Sequence, residues 1–151
     1  MTTTLKIWTT NRNIHSGFFD NYTLEQLNKI PNGFSNNLIW NIGHIIVTQQ
    51  RLIYKMSDLP MHISDGLLET YKTGTKPTEK TTKEEVDELK ILLLSLVEQT
   101  KNDFKNEKFT SFREMTTSTG FYLATTKEAL EFNNYHEGLH LGFMMNIRKF
   151  I

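Results

Sequence analysis

The sequence predicts an all-α fold, most simply a four-helix bundle. Three observations carry this. Four long segments repeat apolar residues at helical spacing. Only three prolines and eight glycines interrupt 151 residues, and so few breakers favour long helices. Two of the four segments open on a Thr followed three residues later by Glu, a capping box that satisfies free backbone N–H groups. Residues 1–151 fit one domain, able to bury about 70% of the surface of its unfolded chain.

The first helix is expected from Leu5 to Tyr22, where Trp8, His15, Phe18 and Tyr22 recur at helical spacing. A short turn, "TLEQLNKI", follows, with Thr23 as its cap and Pro31 ending it. The second helix is expected from Asn36 to Ser57, capped by Ser35 or Asn36 and stopped by "SDLP" at Pro60. The third is expected from Thr82 to Asp103, with its capping box in "TTKEE". The fourth is expected from Thr126 to Lys149, with Thr125 and Glu128 as its box. Linkers at 58–80 and 104–125 separate the last three helices, and the second linker is rich in threonine. Loops of such length carry function or cross over a bundle end.

Charge and composition remove several function classes. Seventeen basic residues balance seventeen acidic ones. A neutral chain gives no electrostatic reason to expect nucleic acid or an anionic membrane as partner. Cysteine is absent, which excludes disulfides, thiolate metal sites and a cysteine nucleophile. The start, "MTTTLKIWTTNRN", lacks the apolar run of a signal peptide. "KILLLSLVEQ" at 90–99 is far too short to span a bilayer. A soluble, cytoplasmic protein is expected.

"YHEGLH" at 135–140 matches H-E-x-x-H, the zincin signature. The rest of that signature is missing. Phe143 and Asn146 stand where a metzincin needs Gly and His, and no Asp or Glu follows Glu137. A metallopeptidase is therefore not expected. On a wheel centred on His136, Ala129, His140 and Ile147 fall within about 40° on one side, and Phe132, Phe143 and Phe150 within about 40° on the other. Leu139 and Met144 flank them, and Lys127, Glu131, Arg148 and Lys149 lie opposite. Both histidines are thus expected in the middle of an apolar face, directed at the core. Four residues apart, they stand on adjacent turns and can share one divalent ion at about 2.0–2.1 Å. The plain alternative is two core histidines satisfied by polar neighbours.

A third ligand is open to His15, His44, His62 or a carboxylate. His15 shares a face with Trp8, Phe18 and Tyr22. His62 lies in a linker and is expected to be solvated. His44 belongs to a polar stripe, Asn37, Asn41, His44, Thr48 and Arg51, on an otherwise apolar helix. That stripe is either the exposed face or the wall of a cleft. Gly43 and Gly142 permit close backbone approach beside the histidines.

Two segments resemble a known family. "NNLIWNIGHIIVTQQRLIYKMSDLP" is similar to the stretch around the first histidine of DinB-like proteins. "TTKEALEFNNYHEGLHLGFMMNIRKFI" resembles their last helix, where an H-x-x-x-H pair is followed by a small residue and a closing Leu/Ile-x-Arg; here Ile147 and Arg148 are adjacent. The resemblance covers essentially the whole chain and is specific in these two segments. It implies a four-helix bundle with a crossover connection, often dimeric. It also implies a metal held by His44, His136 and His140, and so a stripe on the second helix that faces the fourth. Glu137 stands as a candidate catalytic residue, although the wheel sets it about 100° from His136.

Three neutral imidazoles leave coordination positions open, as catalytic metals require. Zinc or nickel suits nitrogen ligands, and iron or manganese is compatible. Two reactions follow: hydrolysis by a metal-bound hydroxide, or transfer of a low-molecular-weight thiol held as thiolate. The resemblance implies thiol-dependent transferases and isomerases as relatives. The expectation is a divalent-metal enzyme, thiol S-transferase-like or hydrolase-like, acting on a small molecule. The alternatives are a non-enzymatic dimeric metal-binding or stress-response protein, and a helical interaction domain without metal. Trp8, Phe18, Phe19, Tyr22, Trp40, Val47 and Tyr54 offer more apolar surface than one bundle core obviously needs, which predicts a homodimer.

Overall fold

The computed structural model describes residues 2–151. Its long helices are α1 (Thr2–Asn21), α3 (Leu38–Ile53), α5 (Lys83–Lys105) and α6 (Thr126–Ile147). The expected short turn is α2 (Leu24–Asn28), opened by a capping box between Thr23 and Gln26. Capping boxes also open α5 at Thr82 and α6 at Thr125. The cap of α3 is Asn37, one residue past the expected pair; its Oδ1 accepts from the Trp40 N–H at 2.8 Å. Asn36 is engaged elsewhere, accepting from the Asn41 amide.

Both linkers hold structure that periodicity did not reveal. The first contains α4 (Asp65–Tyr71), capped by Ser64. The second contains a two-stranded antiparallel hairpin, β1 (Met115–Thr116) and β2 (Tyr122–Leu123). Seven helical residues and two-residue strands are too short to show a repeat of 3.6 or of 2.

Side-chain pairs fix the topology. Ser57 meets Thr126 while Asn41 meets His140, so α3 and α6 run antiparallel. Gln49 meets Thr100 and Tyr54 meets Asp103, so α3 and α5 run parallel. Asp20 pairs with Lys90 while Arg12 reaches Leu93, so α1 opposes α5. A parallel pair in sequence needs a connection that returns along the bundle. The segment carrying α4 supplies it, which is the expected crossover. Since α1 and α3 each pack on α5 and α6, they occupy opposite corners.

Helix α3 is buried on nearly every side: only Thr48 and Arg51 of its sixteen residues escape. Its polar stripe is covered as well, by Tyr71 of α4 and His140 of α6. Gly43 admits α4, because a Cβ there would overlap the Tyr71 ring. The apolar core falls into two clusters, one around Phe18, Ile46, Leu93 and Met144, the other around Trp8, Ile53, Val97 and Leu130. Between them α1 carries Arg12 and His15, and α6 carries Asn133 and Glu137, all buried. A polar layer thus divides the core at mid-bundle.

The apolar surplus expected to cover a dimer face lies inside one copy. Trp8, Phe18, Trp40, Val47 and Tyr54 are buried, and Phe19 and Tyr22 pack against the core. Four helices around an almost wholly buried α3 need that volume. Among the described residues, no helix is long and apolar enough to cross a membrane.

Candidate metal centre

On α6 the buried positions are Thr126, Ala129, Leu130, Asn133, Glu137, Met144 and Ile147. This stripe is rotated by about 70° from the one centred on His136. Phe143 (57% exposed), Phe150 (59%), Leu139 and Tyr135 face outward. The wheel misplaced the centre because it weighed Phe as core and Asn and Glu as surface. His136 and His140 therefore sit at the edge between the buried stripe and an exposed apolar one. Both are half-buried rather than core-directed.

The polar stripe of α3 lines the cleft against α6. His44, only 5% exposed, comes level with the α6 pair. One ring nitrogen from each of His44, His136 and His140 lies within 4.8 Å of the others, a grouping able to hold a metal ion. The ring centroids are 5.2 Å apart for His44 and His136, 4.8 Å for His44 and His140, and 4.6 Å for His136 and His140. Trp40 stacks on His44 at 4.8 Å and 10°.

Hydrogen bonds fix two tautomers. His44 Nδ1 lies 2.8 Å from the Tyr71 carbonyl, which can only accept, so Nδ1–H donates. His140 Nδ1 lies 2.8 Å from Asn41 Oδ1. That oxygen accepts, because Asn41 Nδ2 already donates to Asn36 and to the Asn37 carbonyl. Both rings therefore carry their lone pair on Nε2, the form that ligates metal. Thr48 Oγ1 donates to His44 Nε2 at 3.3 Å. The donor set fits a divalent ion that accepts nitrogen ligands.

Electrostatics keep the cluster neutral. Burial, then His44 and Arg12, push His136 down to about 3. Burial, then His136, His44 and His15, push His140 down to about 2. Burial also lowers His44, against the Tyr71 carbonyl, which raises it. Neutral imidazoles bind metal without first losing a proton.

The other candidates lie elsewhere. His15 is fully buried and donates Nδ1–H to the Asn11 carbonyl at 2.7 Å, outside the cluster. His62 is in the crossover with a side chain 40% exposed, its Nε2 3.8 Å from Asp103. Glu137 turns into the bundle, fully buried. Arg12 Nη2 sits 2.8 Å from its Oε1, and Trp8 Nε1 and Asn133 Nδ2 each donate to the same oxygen at 2.8 Å. Arg12 also donates to the Leu93 and Ile45 carbonyls. A carboxylate held by three donors in the core is poorly disposed to accept a substrate proton. Sequence reasoning missed Arg12, Asn133 and Tyr71. Trp8, Arg12 and His15 do share one helical face, and Asn133 and Glu137 are spaced i, i+4, but a carbonyl ligand partner has no sequence signal.

The class so defined is an all-α bundle with one crossover and three histidines, offered by two facing helices, that could hold a metal ion. A family model described as the DinB superfamily matches residues 7–144, and the chain belongs to that family. No curated protein matches the chain.

Proposed function

We propose that His44, His136 and His140 hold a divalent metal ion and that the protein is a metal-dependent enzyme, thiol S-transferase-like or hydrolase-like, of the cytoplasm. The observation that carries this is a grouping of three histidines in which two tautomers are fixed with the lone pair on Nε2. When bound, such an ion lowers the pKa of a water or a small thiol and so supplies the nucleophile. Zinc or nickel suits three imidazoles, with iron or manganese as compatible ions. The Tyr71 carbonyl and Asn41 orient two of the rings. Trp40 closes the inner side, while Phe132 and Phe143 stand 6.3 and 6.2 Å from the His136 and His140 rings on the outer side. These apolar walls favour a small organic substrate and limit water around its reacting group.

A turnover screen of the zinc- and nickel-loaded protein tests the enzyme reading, with thiol conjugation in one arm and ester hydrolysis in the other. Turnover abolished by His140→Ala is the expected result. Bound metal with no turnover in either arm favours the second reading, a non-enzymatic metal-binding or stress-response protein.

We also propose that two copies associate. The exposed band of Tyr135, Leu139 and Phe143 on α6 supports this. Sedimentation at micromolar concentration reads it directly, and a clean monomer overturns it.

A further inference from the structure

Two of the three histidines have an outer acceptor for the proton on Nδ1, and the third has none. His136 Nδ1 is buried and unpartnered. A buried N–H without an acceptor costs about 1–3 kcal/mol. On the same helix, three residues earlier, Asn133 is fully buried and its Oδ1 is also unpartnered. With the ring proton on Nδ1, His136 lacks an acceptor, and Asn133 Oδ1 lacks a donor.

The orientation of Asn133 is fixed. Its Nδ2 donates to Glu137 Oε1 at 2.8 Å. Exchanging nitrogen and oxygen would set two acceptors against each other, so Oδ1 is the free atom. Residues three apart on a helix are surface neighbours. Helical side chains lean back over the preceding turn, and Nδ1 is the ring nitrogen nearer the backbone. His136 and Asn133 therefore stand on adjacent turns of one helix face, each with a buried polar atom to satisfy.

We propose that Asn133 is the positioning residue of His136: its Oδ1 accepts the Nδ1–H proton and directs Nε2 to the metal. Asn133 is itself held by Glu137, and Glu137 by Arg12 and Trp8. The buried ion pair of the polar layer thus anchors the third ligand, as Tyr71 and Asn41 anchor the other two.

This inference rests on the metal reading, and the test separates them. Zinc titration by calorimetry is run on the wild type and on Asn133→Leu, together with long-range nitrogen-edited NMR of the histidine rings in the zinc-loaded wild type. The expected result is a zinc Kd raised roughly 10–100-fold in Asn133→Leu. In the wild type, His136 keeps its proton on Nδ1, exchanging with solvent as slowly as those of His44 and His140. Should Asn133→Leu fail to fold, the wild-type spectrum still decides. Zinc binding with His136 protonated on Nε2, or with a rapidly exchanging Nδ1 proton, overturns the role of Asn133 and leaves the metal site standing. An unchanged Kd in a folded Asn133→Leu does the same. A wild type that takes up no zinc removes the metal reading itself.

Discussion

Arg12 of α1 and Glu137 of α6 meet at 2.8 Å with neither side chain reaching solvent. The guanidinium also bonds carbonyls of α3 and α5, so one side chain ties all four long helices together. Glu137 looked like the base of a zincin motif in the sequence. In the structure its carboxylate neutralises a cation at the centre of the bundle.

Removing one partner of this pair leaves a buried charge alone. Arg12→Met or Glu137→Leu is expected to cost about 3–5 kcal/mol. The double variant is expected to be more stable than either single variant, because no lone charge remains. Urea denaturation of the three variants measures this, and a double variant as weak as the sum of the singles contradicts it.

The cluster makes the metal-free protein acid-sensitive. His15, His44, His136 and His140 all lie below the ordinary imidazole value, with burial the largest cause. A depressed folded value means that the unfolded chain takes up protons first. The stability from these groups is present above about pH 6.5. It falls as pH drops through that value, down to about 3 for His136 and about 2 for His140. Denaturation midpoints of metal-free protein are expected to fall between about pH 7 and pH 5. A variant carrying His136→Leu and His140→Phe is expected to fall less steeply. Equal slopes contradict the assignment.

Gly43 is where α4 meets α3. A Cβ there overlaps the Tyr71 ring, so Gly43→Ala must displace the crossover. The expected cost is about 1–3 kcal/mol, as for overpacking elsewhere. Because Tyr71 also supplies the acceptor for His44, zinc affinity is expected to fall as well. Calorimetric zinc titration at a temperature where the variant is folded checks the second effect; unchanged affinity contradicts it.

Asn41 has a narrower role. Asn41→Ala removes the acceptor of His140 Nδ1–H but leaves all three imidazoles. Zinc affinity is expected to fall about 10–100-fold, with the metal stoichiometry unchanged. Titration monitored by competition with a coloured chelator reads both quantities.

The four long helices were legible because each exceeds four turns and two carry capping boxes. His136 and His140 were legible from their spacing, while His44 was legible only through resemblance, because the polar stripe of α3 read equally well as an exposed face. What hid was the orientation of α6. A wheel ranks Phe143 above Asn133 for burial, whereas the fold buries Asn133 and Glu137 because Arg12 and Trp8 arrive from α1 to satisfy them. Partners distant in sequence decide which polar residues can be buried. Carbonyl acceptors such as that of Tyr71 are invisible for the same reason.

Metal content decides whether His44, His136 and His140 form a metal site. Tag-free protein purified without chelator is analysed by inductively coupled plasma mass spectrometry beside a His44→Ala variant. About one transition metal per chain is expected in the wild type, as a single three-imidazole site requires, and its loss is expected in the variant. A folded wild type without metal, or a His44→Ala variant that keeps its metal, contradicts it.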